Sequence, residues 1–231
     1  MVANFAVWLL VLVAAVWFHI AAAIDLYNLA ALHPAWQDPQ SVTGGYVWQL
    51  FTYMWLHDLG SPLHLLFNML MLWLFGSHFE EKWGPRAFLQ FYLLCGVGAA
   101  VFTVLLALAA PSLFGAPVVG ASGALLGFIS AFARIYPERK VYLWLAIPVS
   151  GKHLLWLTIG IDLLFFLSLR SQLAFATHLG GLLTGYLLVT GWWRPQKLIS
   201  MIQTELGRRR RKSNRLRVVK PDTENKTRYL N

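Results

Sequence analysis

The sequence has few charged residues and a single cysteine. Charged residues make up 13% of its 231 positions, about half the share usual in soluble proteins, whereas hydrophobic residues make up 58%. Because such a chain cannot cover itself with polar surface, its composition argues against a soluble fold. Cys95 has no partner in the sequence, which excludes an intramolecular disulfide and a metal cluster built from cysteines.

The net charge of +9 lies entirely in the last part of the chain. Residues 191–231 contain 12 Lys and Arg against 3 Asp and Glu, whereas residues 1–190 contain 7 of each sign. A neutral apolar body with a basic tail is typical of membrane orientation rather than of a nucleic-acid-binding face. We therefore expect no nucleic-acid partner.

Six apolar runs approach the length of about 20 residues that a helix needs to cross a bilayer. They are predicted at residues 5–24, 62–76, 87–108, 122–135, within 141–169 and at 173–190. The second and fourth runs are short, which predicts helices that end inside the protein and line a cavity. The triplet Ala21-Ala22-Ala23 also resembles a signal-peptide cleavage site, but no Lys or Arg precedes the first run, so a retained segment is favoured.

These runs predict an all-α, polytopic membrane domain over residues 1–192 and a largely disordered basic tail over residues 193–231. Eighteen of the 19 Lys and Arg lie in the 76–86 turn, the 134–152 region or the tail, which we place in the cytoplasm. Both termini are then cytoplasmic, and the second, fourth and sixth segments begin at the outer face. The expected location is a bacterial inner membrane, with the tail against anionic lipid headgroups.

Two polar residues near the outer ends of the fourth and sixth segments form a candidate catalytic pair. Ser122 begins the fourth segment, and His178 lies about one turn into the sixth. Serine is a weak nucleophile unless a base takes its proton, and histidine is the usual base. The alternative is ordinary helix packing, in which the serine bonds to a backbone carbonyl.

Paired glycines predict that these two segments pack closely. Gly123 and Gly127 follow Ser122, and Gly181 and Gly185 follow His178, each pair with the G-x-x-x-G spacing. His178, Gly181 and Gly185 share one helix face, so this contact directs the imidazole at the fourth segment.

A second helix face carries two further polar side chains. His64 and Asn68 lie four residues apart in the outer half of the second segment. Acyl transfer develops an oxyanion that placed donors stabilise, so both residues are candidate oxyanion ligands. A satisfied interhelical hydrogen-bond network is the alternative.

In this order and spacing, these motifs resemble the rhomboid family of intramembrane serine proteases. Two further sequences match, Glu80-Glu81-Lys82-Trp83-Gly84 and Ala146-Ile147-Pro148-Val149, and the likeness covers about residues 45–190. The resemblance implies a six-helix bundle in which Ser122 attacks a peptide bond and His178 acts as base without an aspartate. It also implies an oxyanion site of His64, Asn68 and the Ser122 N–H, no cofactor, and transmembrane protein segments as substrates.

The sequence departs from the family pattern at two positions. Gln49 follows Trp48 where many members have arginine, so an ion pair or lipid contact of that arginine is missing. Leu126 stands where many members have a tyrosine stacked on the catalytic histidine. Orientation of His178 is then expected to depend on packing.

The sequence offers alternatives to this function and to these residue roles. Asp162 could orient His178, bond to a neighbouring helix or lie near the outer interface, and the last two are favoured. Metal catalysis is disfavoured because no His-Glu-x-x-His motif is present, and an aspartyl protease would need a second membrane aspartate. The main rival function is a non-proteolytic rhomboid-like protein that binds membrane helices, and a small transporter or channel is a weaker one.

Overall fold

A computed structural model describes residues 1–143, 146–168 and 172–191 of the chain. Ten α-helices and one two-stranded hairpin lie within the described residues. The helices are α1 (Val2–Leu12), α2 (Ala21–Ala30), α3 (Gln49–Thr52), α4 (Pro62–Met71), α5 (Ser77–Trp83), α6 (Pro85–Ala109), α7 (Pro111–Phe114), α8 (Ser122–Ile135), α9 (Gly151–Leu167) and α10 (Gln172–Thr190). The hairpin strands are β1 (Lys140–Leu143) and β2 (Ile147–Ser150), and the predicted tail at residues 193–231 lies outside the described residues.

Helix α8 is the centre of the molecule. Every residue from Gly123 to Ala133 is buried, and α6 and α10 pack against it. In the middle of α8, aromatic rings from α5 and α6 surround Phe128, whose centroid lies 4.9 Å from that of Phe91. This packing fixes the position of α8, and with it the position of its first residue.

One described helix is long and apolar enough to cross a membrane. This is α6, with 25 residues and a mean hydropathy of 2.3. Shorter apolar helices cover Val2–Trp17, Ser122–Ile135 and Phe175–Thr190. The third, fourth and sixth predicted segments thus correspond to α6, α8 and α10.

The first predicted segment, residues 5–24, is wrong as a single helix. Helix α1 continues through a π-helical turn to Trp17, and α2 begins only at Ala21. Between them His19 has a φ of 51°, a left-handed conformation that interrupts a right-handed helix. An apolar run carries no signal for this break, because both helices and the linker are hydrophobic.

The second predicted segment begins correctly at Pro62 but does not end at Gly76. Helix α4 continues through a π-helical turn, Leu72–Gly76, into α5. A Cβ at position 76 would lie 3.3 Å from Cε2 of Phe88, so this glycine permits close packing inside a helix instead of ending one. The expectation of a short second helix is therefore also wrong.

In the fifth predicted region, helix forms only after a hairpin that the sequence analysis did not predict. Strands β1 and β2 pair antiparallel, with Lys140 opposite Ser150 and Tyr142 opposite Pro148. Pro148 lacks a backbone N–H and disfavours a helix interior, so α9 begins after it, at Gly151.

Buried polar groups fix the long loop between α2 and α4. Gln49 is fully buried, its Oε1 accepts from the His33 N–H at 3.0 Å, and its Nε2 donates to the carbonyls of Gln40 and Leu29 at 2.8 and 3.3 Å. Leu32 and Val118 exchange two backbone hydrogen bonds, which join this loop to the turn before α8. Gln49 therefore has a structural role of its own at the position where many family members have arginine.

Candidate active site

Ser122 is placed by a tight turn at the start of α8. Gly120 has a φ of 124°, a conformation that glycine adopts without steric cost, and its N–H donates to the Tyr53 carbonyl at 3.0 Å. A Cβ at position 120 would lie only 2.9 Å from Nε2 of His64. Glycine thus permits both the turn and the close approach of the His64 ring.

The side chains of Ser122 and His178 are in direct contact. Ser122 Oγ lies 2.8 Å from Nε2 of His178, although the two residues are 56 positions apart in the chain. This is the contact that a serine nucleophile and its general base require.

The four glycines lie between α8 and α10 and bring the two backbones together. A Cβ at Gly181 would overlap the carbonyl group of Gly123, and a Cβ at Gly185 would overlap that of Gly127. These close approaches lie within about two turns of Ser122 on α8 and of His178 on α10. The packing of the two helices therefore determines the distance between Ser122 Oγ and His178 Nε2.

Asp162 on α9 completes a chain of three side chains. Its Oδ1 lies 2.9 Å from Nδ1 of His178, and the side chains of both residues are mostly buried, with 17% and 18% of their surface exposed. The resemblance implied a pair without an aspartate, and sequence reasoning favoured other roles for Asp162. One favoured role, a bond to a neighbouring helix, is confirmed, because Asp162 contacts α10; its partner there is His178, where the resemblance implied no aspartate.

The two contacts of His178 determine where its proton lies. When Asp162 is a carboxylate it can only accept, so Nδ1–H of His178 donates the hydrogen bond to it. Nε2 is then free to accept from the Ser122 hydroxyl, which is the tautomer a general base needs.

His64 faces the turn before Ser122 as a hydrogen-bond donor. Its Nδ1 accepts from the backbone N–H of Asp58 at 3.1 Å, which leaves the proton on Nε2. Nε2 is the atom that lies close to Gly120. The structure therefore places a neutral imidazole N–H next to the nucleophile.

Asn68 lies beside the pair, but its amide is already engaged. Nδ2 donates to the His64 carbonyl of its own helix at 2.7 Å, and Oδ1 is buried without a partner among the described residues. An amide carries a second N–H, and this is the one that is left for a bound group.

Two cavities meet at Ser122 and His178, and Asn68 and Phe67 line both. The larger, of about 500 Å³, extends to the loops on the side of Asp58 and Val118. The smaller, of about 130 Å³, reaches Asp162 and Leu126. The larger cavity thus connects Ser122 to the loops at the edge of the helix bundle.

The loop above the larger cavity contains a second buried histidine. The ring of His57 is fully buried and lies 5.4 Å from that of His64, measured between centroids. Burial, and next the neighbouring His64, lowers the pKa of His57 from 6.5 to about 4. His57 is therefore neutral at pH 7 and adds no positive charge near the site.

Sequence reasoning did not assign two residues that the structure brings to the site. The Asp58 N–H fixes the tautomer of His64, and Asp162 contacts His178. The signal for Asp162 was present, because an acid inside an apolar segment normally has a partner. The described residues contain no cluster of three or more His, Cys, Asp or Glu that could hold a metal ion.

Comparisons with known proteins agree with the resemblance. Residues 44–195 match the rhomboid domain family. The chain is 30% identical over 137 residues to Rhomboid protein 1, mitochondrial, of Saccharomyces cerevisiae, which is 56% of this chain and 37% of the yeast protein. It is 33% identical over 149 residues to RHOMBOID-like protein 6, mitochondrial, of Arabidopsis thaliana, covering 64% and 44% of the two chains.

A bacterial relative is also similar. The chain is 28% identical over 152 residues to Rhomboid protease GluP of Bacillus subtilis, covering 63% of this chain and 26% of that protein. The chain thus spans less than half the length of these curated relatives.

Proposed function

The chain belongs to the rhomboid family, and from this membership we propose that it is an intramembrane serine endopeptidase. It is an all-α membrane protein, and one bacterial relative bears the name of a protease. The observation that carries the proposal is the 2.8 Å contact between Ser122 Oγ and His178 Nε2 in a cavity that opens beside them.

In the proposed reaction, Ser122 Oγ attacks the carbonyl carbon of a substrate peptide bond while its proton passes to His178 Nε2. The developing oxyanion lies near the His64 Nε2–H and the backbone N–H of Ser122, which has no acceptor within α8 because it begins the helix. The second N–H of Asn68 is a further donor. The same His178 proton then passes to the amine as the C–N bond breaks.

Hydrolysis of the resulting acyl-enzyme requires water beside Ser122. The larger cavity reaches from Ser122 to the loops around Asp58 and Val118, which supplies a route that does not cross the bundle. In this second half-reaction His178 takes a proton from water and returns one to Ser122 Oγ.

The proposed substrates are transmembrane segments of other proteins. A peptide in a helix hides its carbonyl behind its own side chains and hydrogen bonds, so the segment must become extended at the cut. We expect residues that destabilise helices near the cleaved bond.

We further propose that the chain crosses the membrane six times with both termini in the cytoplasm. Support comes from five basic residues at or just beyond the ends of helices away from Ser122, which favour an orientation with Ser122 toward the outer face: Lys82, Arg86, Arg134, Arg139 and Lys152. A bacterial inner membrane stays a prediction, because the relatives include mitochondrial and plant proteins as well as a bacterial one. Contact of the basic tail with anionic lipid stays a prediction as well.

The test is cleavage of a labile transmembrane substrate by purified protein. Ser122→Ala and His178→Ala should each abolish cleavage and leave the thermal unfolding midpoint close to that of the wild type. Ser130→Ala is a matched control, because Ser130 is a buried serine of the same helix α8. Undiminished cleavage by Ser122→Ala would contradict the proposal and favour the non-proteolytic, helix-binding alternative.

A further inference from the structure

We propose that Asp162 is a positioning residue of this site, which holds His178 in the tautomer and orientation that accept the Ser122 proton. The inference rests on the proposed serine protease function and deepens it, because the proposed pair then works as a Ser122–His178–Asp162 triad. Its basis is the 2.9 Å contact between Asp162 Oδ1 and His178 Nδ1, on the side of the ring opposite Ser122.

The contact with His178 is the hydrogen bond that Asp162 makes among the described residues. Its second oxygen, Oδ2, is buried and has no hydrogen-bond partner among the described residues. An ionised carboxylate that served only to join helices would be expected to have more of its acceptor sites filled. The contact of Asp162 with His178 is therefore the interaction that accounts for an acid at this position.

Near Asp162, helix α9 contacts its neighbours through Phe166, whose ring stacks on those of Phe114 and Phe175 with centroids 5.8 and 4.6 Å away. Its buried residues are Gly151 and Leu154, both in its first turn, whereas Ile161 and Leu163 beside Asp162 are exposed. Phe166 thus holds this part of α9 against α7 and α10, and Asp162 contacts His178 from the same part of the helix.

Among the described residues, Asp162 is the side chain that hydrogen-bonds to Nδ1 of His178. The smaller cavity around Asp162 and His178 is otherwise lined mainly by apolar residues, among them Leu126, at the position where many rhomboids have a tyrosine. Leucine can neither hydrogen-bond to the imidazole nor stack on it as an aromatic ring. His178 is therefore oriented by Asp162 in this chain, where packing alone was expected.

The carboxylate has two effects on the proposed reaction. It accepts the Nδ1–H, so Nε2 is unprotonated when Ser122 attacks, and it stabilises the positive imidazolium that forms when Nε2 takes the serine proton. The transferred proton moves only between Ser122 Oγ, His178 Nε2 and the leaving amine, and Asp162 takes no part in the transfer.

The experiment compares Asp162→Asn with the wild-type protein in the same detergent. Asparagine keeps the size of the side chain, but its amide can donate to Nδ1 and so shift the proton to Nε2. We expect kcat to fall at least about tenfold, toward the roughly 10⁴-fold loss seen when other triads lose this tautomer, with KM changed less than about twofold. In the ¹⁵N spectrum of labelled histidine, the protonated nitrogen of His178 should change from Nδ1 to Nε2.

Two further variants separate positioning from folding. Asp162→Glu keeps a carboxylate and should retain more activity than Asp162→Asn, because the cavity beside it has room for one more methylene. Thr158→Val removes a polar group one turn earlier on α9, where Thr158 Oγ1 donates to the Leu154 carbonyl of its own helix, and should leave kcat unchanged.

The proposal is overturned if Asp162→Asn keeps the wild-type kcat, or if its loss of activity comes with the wild-type tautomer of His178. Failure of the protease function itself gives a different result. In that case Ser122→Ala would cleave as well as the wild type, and the measured cleavage would not come from the Ser122 site.

Discussion

Replacing Gly181 with alanine should separate α8 from α10 and break the contact between Ser122 and His178. A Cβ at position 181 would overlap the Gly123 carbonyl, with 2.7 Å to its carbon and 3.1 Å to the Gly123 Cα. Non-bonded carbon atoms need at least about 3.5 Å, and the Gly123 carbonyl oxygen is closer still to the added Cβ, so the helices must move apart by at least roughly 0.8 Å.

This movement acts directly on the site. Gly123 follows Ser122, and Gly181 lies about one turn after His178, so the 2.8 Å contact should lengthen to at least about 3.6 Å, outside hydrogen-bond range. A misplacement of about 1 Å can cost around 10²-fold in rate, and overpacking of this kind costs about 1–3 kcal/mol of stability. We expect both effects in Gly181→Ala.

The assay is cleavage of a transmembrane substrate by purified variants, together with thermal unfolding in the same detergent. Gly160→Ala is the control, because a Cβ at position 160 of α9 meets nothing within 4 Å. Alanine there should leave activity unchanged and stabilise the helix by about 0.5–1 kcal/mol. Wild-type cleavage by Gly181→Ala would refute the claim that the glycine contact sets the Ser122–His178 distance.

Two further predictions concern residues around the pair. Asn68→Ala should lower turnover by about 10²-fold or less, because His64 and the Ser122 N–H remain as donors; Asn28→Ala, at an exposed asparagine, is the control, and unchanged turnover would remove Asn68 from the site. The pKa of His57 falls from 6.5 to about 4 on folding, so its stabilising effect is complete above pH 6.5 and is lost as the pH falls toward 4. The thermal unfolding midpoint of His57→Phe should therefore decline less over this range than that of wild type or His19→Asn, and equal declines would contradict this account.

The elements that the sequence predicted best are those with an unmistakable apolar length or a defined start. Helix α8 runs over the predicted residues 122–135, and α6 and α10 begin and end within two residues of their predicted bounds. The break at His19 and the continuation past Gly76 were missed, because they depend on local backbone geometry and on packing against Phe88. The hydropathy pattern shows neither the break at His19 nor the continuation past Gly76.

The site shows a similar division. The sequence positions of Ser122, His178 and the glycines predicted that they lie at a similar depth, because that depth depends only on topology and helix periodicity. The contact of Asp162 with His178 could not be derived in that way. It depends on the rotation of α9 about its axis. Because α9 is apolar on almost all sides, its sequence does not show which face points toward the bundle.

The most direct test of the central claim is covalent labelling of the detergent-purified protein with a serine-directed, mechanism-based probe, followed by mass spectrometry. It needs no knowledge of the natural substrate. The account predicts an adduct on Ser122 that is lost in His178→Ala and retained in Ser130→Ala. A folded wild-type protein that shows no adduct on Ser122, or one that forms equally in His178→Ala, would contradict the proposed catalytic pair.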